Sequence, residues 1–326
     1  MTNPVAIRID GLQISNWSEE VLAENVRGGV HAINATCAVW EGPAETMQKI
    51  GDWYQLLRRH SDLARLALTT DDLRSAAEDG VVGVLLGFQN ASPFGDDVTL
   101  VEVFHRLGVR IAQLTYNIQN LLGGSCYDSE DGGLTAFGRN VIEEMNRVGM
   151  VVDLSHVGNR TSRDAVDASS QPVAITHANP LWFYDTPRNK PNDVIEAVTN
   201  AGGVIGLCLY PNVTGGSTTT QKEFCQMAAD VAEQVGIEHL AVASDSVRGW
   251  PDSFVSFLRN GRWRLPAEGD PAPGWPEWPD WFSGPEDFPN LDDGLTEVGM
   301  SRAEVDAVLG GNLLNYFDRV FDGTPS

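Results

Sequence analysis

The chain has 326 residues, 42% of them hydrophobic, and a formal net charge of −23. That length allows a large core, and the strongly acidic balance disfavours nucleic acid and anionic membranes as partners. No apolar run reaches the roughly 20 residues that span a bilayer, and the first residues lack the basic-then-apolar pattern of a signal peptide, so a cytoplasmic location without a membrane partner is expected.

Short apolar runs alternate with amphipathic segments along the chain. Eight runs read as strands: Val5–Ile9, Gly29–Cys37, Val81–Phe88, Val109–Thr115, Met150–Leu154, Pro172–Thr176, Gly203–Leu209 and His239–Ser244. Between them lie helical patterns at Glu19–Arg27, Ala44–Arg59, Thr69–Glu78, Leu100–Leu107, Thr135–Val148, Arg160–Ala168, Pro191–Ala201 and Gln221–Val235. The third opens on Thr69, Thr70, Asp71 and Asp72, residue types that cap helix N-termini. Near-continuous apolar strands alternating with helices predict a parallel α/β fold, a (β/α)8 TIM-type barrel, as one domain over residues 1–326. A doubly wound open sheet is the alternative. No Gly-x-Gly-x-x-Gly motif follows the first strand, which argues against it.

Three of these strands end in chemistry. One runs into Ser155 and His156, the next into Thr176 and His177, and the last into Ser244 and Asp245. In parallel β/α proteins the C-terminal strand edge is where active sites sit. Two imidazoles on adjacent strands can hold a transition metal, typically zinc, and Asp245 offers a third ligand or a proton-transfer group. The simpler alternative is a pair of buried histidines bonded to backbone.

The four cysteines, at 37, 126, 208 and 225, show no CxxC spacing and no disulfide framework. Cys37 and Cys208 read as core residues. Cys126 lies in a loop where a thiolate would reach a metal, or where it simply packs. Residues 247–294 break the rhythm of the chain. They hold five of the nine tryptophans (250, 263, 275, 278 and 281), which argues against free disorder. This insertion follows the last barrel strand. It reads either as a lid supplying aromatic walls to the pocket, or as a packed loop or dimer contact.

The phrases around these strand ends resemble the membrane (renal) dipeptidase family of the amidohydrolase superfamily. They are Leu134 through His156, Ile175 through Asn179 with Pro187, Arg188 and Asn189, Gly202 through Pro211, and the helix around Val305 leading to Gly310 through Phe317. The resemblance implies a (β/α)8 barrel with a two-zinc site that hydrolyses dipeptides. His156 and His177 match ligands of the second zinc, Arg188 the clamp on the substrate carboxylate, and Asp245 the proton-transfer Asp. An ion pair of Arg188 with Asp185 is the alternative for that residue.

Other positions depart from the family. Its first strand ends Asp-Gly-His-Asn-Asp, whose His and last Asp hold one zinc. Here Asp10 and Gly11 lead into Leu12, Gln13 and Ile14. The bridging Glu is replaced by Gln89, followed by Asn90, and the His that stabilises the tetrahedral intermediate by Tyr116, followed by Asn117. Leu and Ile cannot coordinate a metal, and a neutral amide is a poor bridge between two cations.

The expected site is therefore a rebuilt, mononuclear one. His156, His177 and Asp245 are its zinc ligands, with Gln89 or Cys126 as other candidates for the third, and the ion is weakly bound or absent. Asp245 and Tyr116 are the catalytic groups. Arg188, Gln89, Asn90, Gln13 and Asn117 are the substrate-binding groups. The expected function is that of a dipeptidase-like metallohydrolase cleaving a C–N bond in a small carboxylate-bearing amino-acid derivative or dipeptide, with a homodimer expected. Two readings from other classes remain. One is a small-molecule binding protein that lost catalysis. The other is a lyase on an N-modified amino acid, whose amine cation would meet the aromatic, acidic insertion.

Overall fold

The computed structural model describes residues 6–265, 267, 269 and 274–321. The start of the predicted first strand, part of the 247–294 segment and the last five residues lie outside the described residues.

The strands are β1 (Ile9–Gln13), β2 (Ala32–Ala38), β3 (Ala64–Leu66), β4 (Val82–Phe88), β5 (Val109–Gln113), β6 (Val151–Asp153), β7 (Ala174–Ile175), β8 (Val204–Cys208) and β9 (Leu240–Ala243). All paired strands are parallel, in the order β1-β2-β4-β5-β6-β7-β8-β9, and β3 pairs with β4 off this path. The ends of this path meet. Asp245 N donates to Leu12 O at 2.9 Å, and Ile14 N to Ser246 O at 2.9 Å. The result is a nearly closed eight-stranded parallel barrel with alternating helices, the expected (β/α)8 architecture.

Helices begin where the sequence caps them. Thr69 and Thr220 each accept from the backbone N–H three residues on, and Asp72 and Glu223 reach back to the cap in return. Apolar residues on the outer strand faces pack under these helices. Inside the barrel, Ile9, Leu85, Ile111, Val151 and Val204 form a layer near the strand N-termini. Leu313, Tyr316 and Phe317 of the helix Asn312–Phe321 plug that end. The closed floor leaves the opposite mouth, at the strand C-termini, as the open side. Gly206 permits the close packing above the floor, because a Cβ there would lie 2.0 Å from Thr176 O.

Two corrections concern the strands. The first runs Ile9–Gln13, not Val5–Ile9. Asp10 looks like a strand terminator in sequence, yet it is fully buried and bonded inside the strand. The three-residue β3 gives no signal, because Arg65 interrupts its apolar character. No helix among the described residues is long and apolar enough to cross a membrane.

Candidate active site

The site is built by two carboxylates that themselves stay behind it. Asp153, the last residue of β6, accepts from Ser155 N (3.1 Å) and Ser155 Oγ (2.5 Å), and from Thr176 N (3.0 Å) and Thr176 Oγ1 (2.8 Å). This fixes the residues that precede His156 and His177. Asp10 does the same across the barrel seam. It accepts from Ser244 N (2.7 Å), Ser244 Oγ, Leu12 N (3.3 Å) and Gln13 Nε2 (2.8 Å), and so sets the turn into Asp245. Burial pushes both carboxyls up, Asp10 to about 6, against the lowering by these donors.

His156 and His177 face each other with their Nε2 atoms 3.1 Å apart. Their Nδ1 atoms fix the tautomers. His156 Nδ1 lies 2.8 Å from Asn117 Oδ1, a carbonyl oxygen that can only accept. His177 Nδ1 lies 2.8 Å from Thr176 Oγ1, whose proton goes to Asp153. Both Nδ1 atoms therefore carry the hydrogen in the neutral rings, and both Nε2 lone pairs point at one space. Burial, then the charge of Arg188, holds both imidazoles well below their ordinary pKa, so a proton does not fill that space at neutral pH. Two ligands about 2.05 Å from one tetrahedral zinc would stand about 3.3 Å apart. The pair thus fits one metal ion as two of its ligands. It does not fit two ions. Leu12 and Ile14 are buried and apolar, and no group of three or more His, Cys, Asp or Glu that could hold a metal occurs among the described residues. Asp245 and Cys126 accordingly do not complete a three-ligand cluster with the histidines.

A cavity of about 340 Å³ opens at this mouth, lined by His156, Asp245, Gln89, Tyr116, Asn117 and Arg188 among others. Asp245 sits at φ +50°, a left-handed conformation in which a non-glycine residue is strained. Burial raises its carboxyl to about 7, although Arg188 and a hydrogen bond from Gln89 pull the other way. Tyr116 stacks on His156 with ring centroids 4.2 Å apart, and Trp40 packs edge-on against it at 5.3 Å. Burial and Asp245 keep its phenol far above its usual range, so it stays protonated and can donate. Arg188 donates to Ser155 O and, at 3.1 Å, to His177 O. Its partners are these carbonyls rather than Asp185.

Two substrate-binding expectations, Gln13 and Asn90, are corrected by position, and Cys126 faces a different cleft from His156. Gln13 is fully buried and donates to Asp10 and Asn25, away from the cavity. Asn90 accepts from Asn120 at 2.9 Å and faces a neighbouring cleft. Cys126 lines a separate surface cleft with Asp128 and Arg160. Residues the sequence reading missed also line the main cavity: Tyr127, Tyr210, Arg259 and the apolar Val255 and Leu258. Tyr210 had a signal, since it follows the apolar run of β8. Arg259 had none, because its reach depends on how the insertion folds.

The insertion is not a simple loop. It carries the helix Ser253–Asn260 and leads into the helix Phe288–Glu297. Trp263 and Trp275 line the cavity, whereas Trp278 and Trp281 pack against the core. Trp250 stacks on Phe254 at 3.6 Å and donates to Ile14 O at 2.7 Å.

The sequence profile of the membrane dipeptidase family (peptidase family M19) matches residues 12–254, most of the barrel just described. The chain belongs to this family. Among curated relatives, dipeptidase verJ of Clonostachys rogersoniana is 30% identical over 210 residues, covering 64% of this chain and 54% of its own length. Dipeptidase tcpJ of Claviceps purpurea is 27% identical over 282 residues, covering 85% of this chain and 60% of its own. The chain thus spans between half and two thirds of these two relatives' length. A solved amidohydrolase from Pseudomonas aeruginosa is 36% identical, with a TM-score of 0.91 over 97% of each chain.

Proposed function

We propose that this member of the dipeptidase family hydrolyses a C–N bond in a small amino-acid derivative or dipeptide that bears a carboxylate, using a rebuilt site that holds at most one metal ion. One observation carries the reading: Asp245, Tyr116, Arg188 and His156 line a single cavity at the barrel mouth, and His177 backs His156 from behind that lining. Arg188 takes the substrate carboxylate with the donor capacity that its two carbonyl bonds leave free. This sets the scissile carbonyl beside Asp245 and Tyr116. Asp245 accepts a proton from the attacking water and returns it to the leaving nitrogen as the C–N bond breaks. A carboxyl that titrates near 7 suits both halves of that transfer. Tyr116 donates its phenolic hydrogen to the developing oxyanion. His156 and His177 would hold the ion, which when bound supplies positive charge that favours hydroxide over water at neutral pH.

The test is a screen of dipeptides and N-acyl amino acids with the purified protein, before and after chelation and zinc reloading. Cleavage of at least one carboxylate-bearing amide, lost in Asp245→Asn, supports the reading. Saturable binding of such compounds with no turnover under any metal condition replaces it with a binding protein that lost catalysis.

A further inference from the structure

Several arginines of this acidic chain pair with acids. Within the insertion, Arg248 pairs with Glu24 at 2.8 Å and Arg262 with Glu45 at 2.7 Å. Arg259 lies between them in sequence and does otherwise. It sits on the helix Ser253–Asn260, exposed, at the cavity lining. Its charge is felt by Tyr127, on the loop after β5, and by Tyr210, just after β8. Among the described residues neither Arg259 nor Arg188 forms an ion pair with a carboxylate, and both line the same cavity. Among the described residues Asp245 is the one acidic residue in that lining. Among the described residues the cavity lining therefore presents two guanidiniums against one carboxyl group, inside a protein of charge −23.

Resting on the hydrolytic site proposed above, we infer that its substrate is a small dianion, with one acidic group on Arg188 at the cavity wall and a second on Arg259 at the rim. The scissile bond then lies between the two anchors, where Asp245 and Tyr116 stand. N-acyl amino acids with a dicarboxylic acyl group, and dipeptides with an acidic side chain, have this layout. The arrangement works against an amine cation near the described part of the insertion, whose residues turn Arg259 and no carboxylate to the cavity. Arg259 is a specificity-determining residue in this scheme. Being exposed on the rim, it contributes through a solvated charge-assisted contact that salt weakens.

The experiment measures binding apart from catalysis. Pimelate, a seven-carbon dicarboxylate with no cleavable bond, and its monoamide are titrated into the native protein and into Arg259→Gln by calorimetry. The native protein should prefer pimelate by about five- to tenfold, and the preference should shrink in high salt. Arg259→Gln should lose that preference while binding the monoamide as the native protein does. Arg188→Gln should weaken both ligands. The inference is overturned if the native protein binds pimelate no better than the monoamide, or does not bind it at all, or if Arg259→Gln keeps the preference. Failure of hydrolysis in the amide screen with intact pimelate selectivity would remove the catalytic reading and leave the dianion site standing.

Discussion

Asp153 accepts both the backbone N–H and the hydroxyl of Thr176, at 3.0 and 2.8 Å, and Thr176 in turn accepts from His177 Nδ1. A carboxylate on β6 thereby sets the tautomer and orientation of an imidazole on β7, although it never touches the cavity. Asp10 holds Ser244, the residue before Asp245, in the same manner. Asp153→Asn should keep the volume but turn one acceptor into a donor facing Thr176 and Ser155. We expect a stability loss of about 2–3 kcal/mol and a metal affinity lower by roughly 10–100-fold. Chemical denaturation and cobalt titration measure the two effects. An unchanged cobalt affinity would show that Thr176 alone orients His177.

Most of the barrel was legible because most of its strands are buried on both faces and read as near-continuous apolar runs, unlike β1 with Asp10 and β3 with Arg65. His156, His177 and Asp245 were legible because each ends such a run. The supports were less so. Asp153 is visible in sequence, but nothing marks it as the partner of Thr176, which lies 23 residues on and meets it only through the β6–β7 pairing. Gln13 and Asn90 misled for a related reason. A polar residue at a strand end reads the same whether it faces ligand or, like Gln13, serves a buried acid. Arg259 was beyond reach, since its position depends on the docking of an insertion with no strand periodicity.

Metal binding follows from the two converging Nε2 lone pairs. Zinc or cobalt should bind at no more than about one equivalent and leave under mild chelation, because two imidazoles fall short of the roughly three protein ligands of a catalytic zinc site. His156→Ala or His177→Ala should each abolish it. Elemental analysis finding two equivalents resistant to chelation would reveal ligands beyond these two residues.

Arg188 has a structural duty that separates its variants. Its guanidinium satisfies the carbonyls of Ser155 and His177, so Arg188→Ala leaves two buried acceptors unpaired and should cost about 2–3 kcal/mol. Arg188→Lys can keep one of these bonds but not the planar donor fork. It should melt closer to the native protein while weakening carboxylate ligands by about tenfold or more. Equal affinity of native and Arg188→Lys protein for such ligands would dismiss the carboxylate role.

Asp245 links activity to stability with opposite signs. Its folded carboxyl titrates at about 7, against 3.8 for the ordinary side chain, because burial disfavours the charge more than Arg188 and Gln89 favour it. A carboxyl raised on folding stabilises the native state fully below its unfolded pKa. That contribution falls as pH climbs from about 4 to about 7 and is absent above. Asp10, at about 6, adds a loss of the same sign over a narrower window. Base catalysis runs the other way, since only the ionised Asp245 can take a proton, so kcat/KM should rise with pH to a plateau above about 7. Asp245→Asn should lower turnover by roughly 10²–10⁴-fold. At pH 8 the same change should raise stability by about 1–3 kcal/mol, because the amide carries no buried charge. At pH 4, where the native carboxyl is already neutral, the stability difference should nearly vanish. Denaturation of both proteins at pH 4 and pH 8 provides the check. A stability gain of the same size at both values would mean that backbone strain at φ +50°, and not charge burial, is what the substitution relieves.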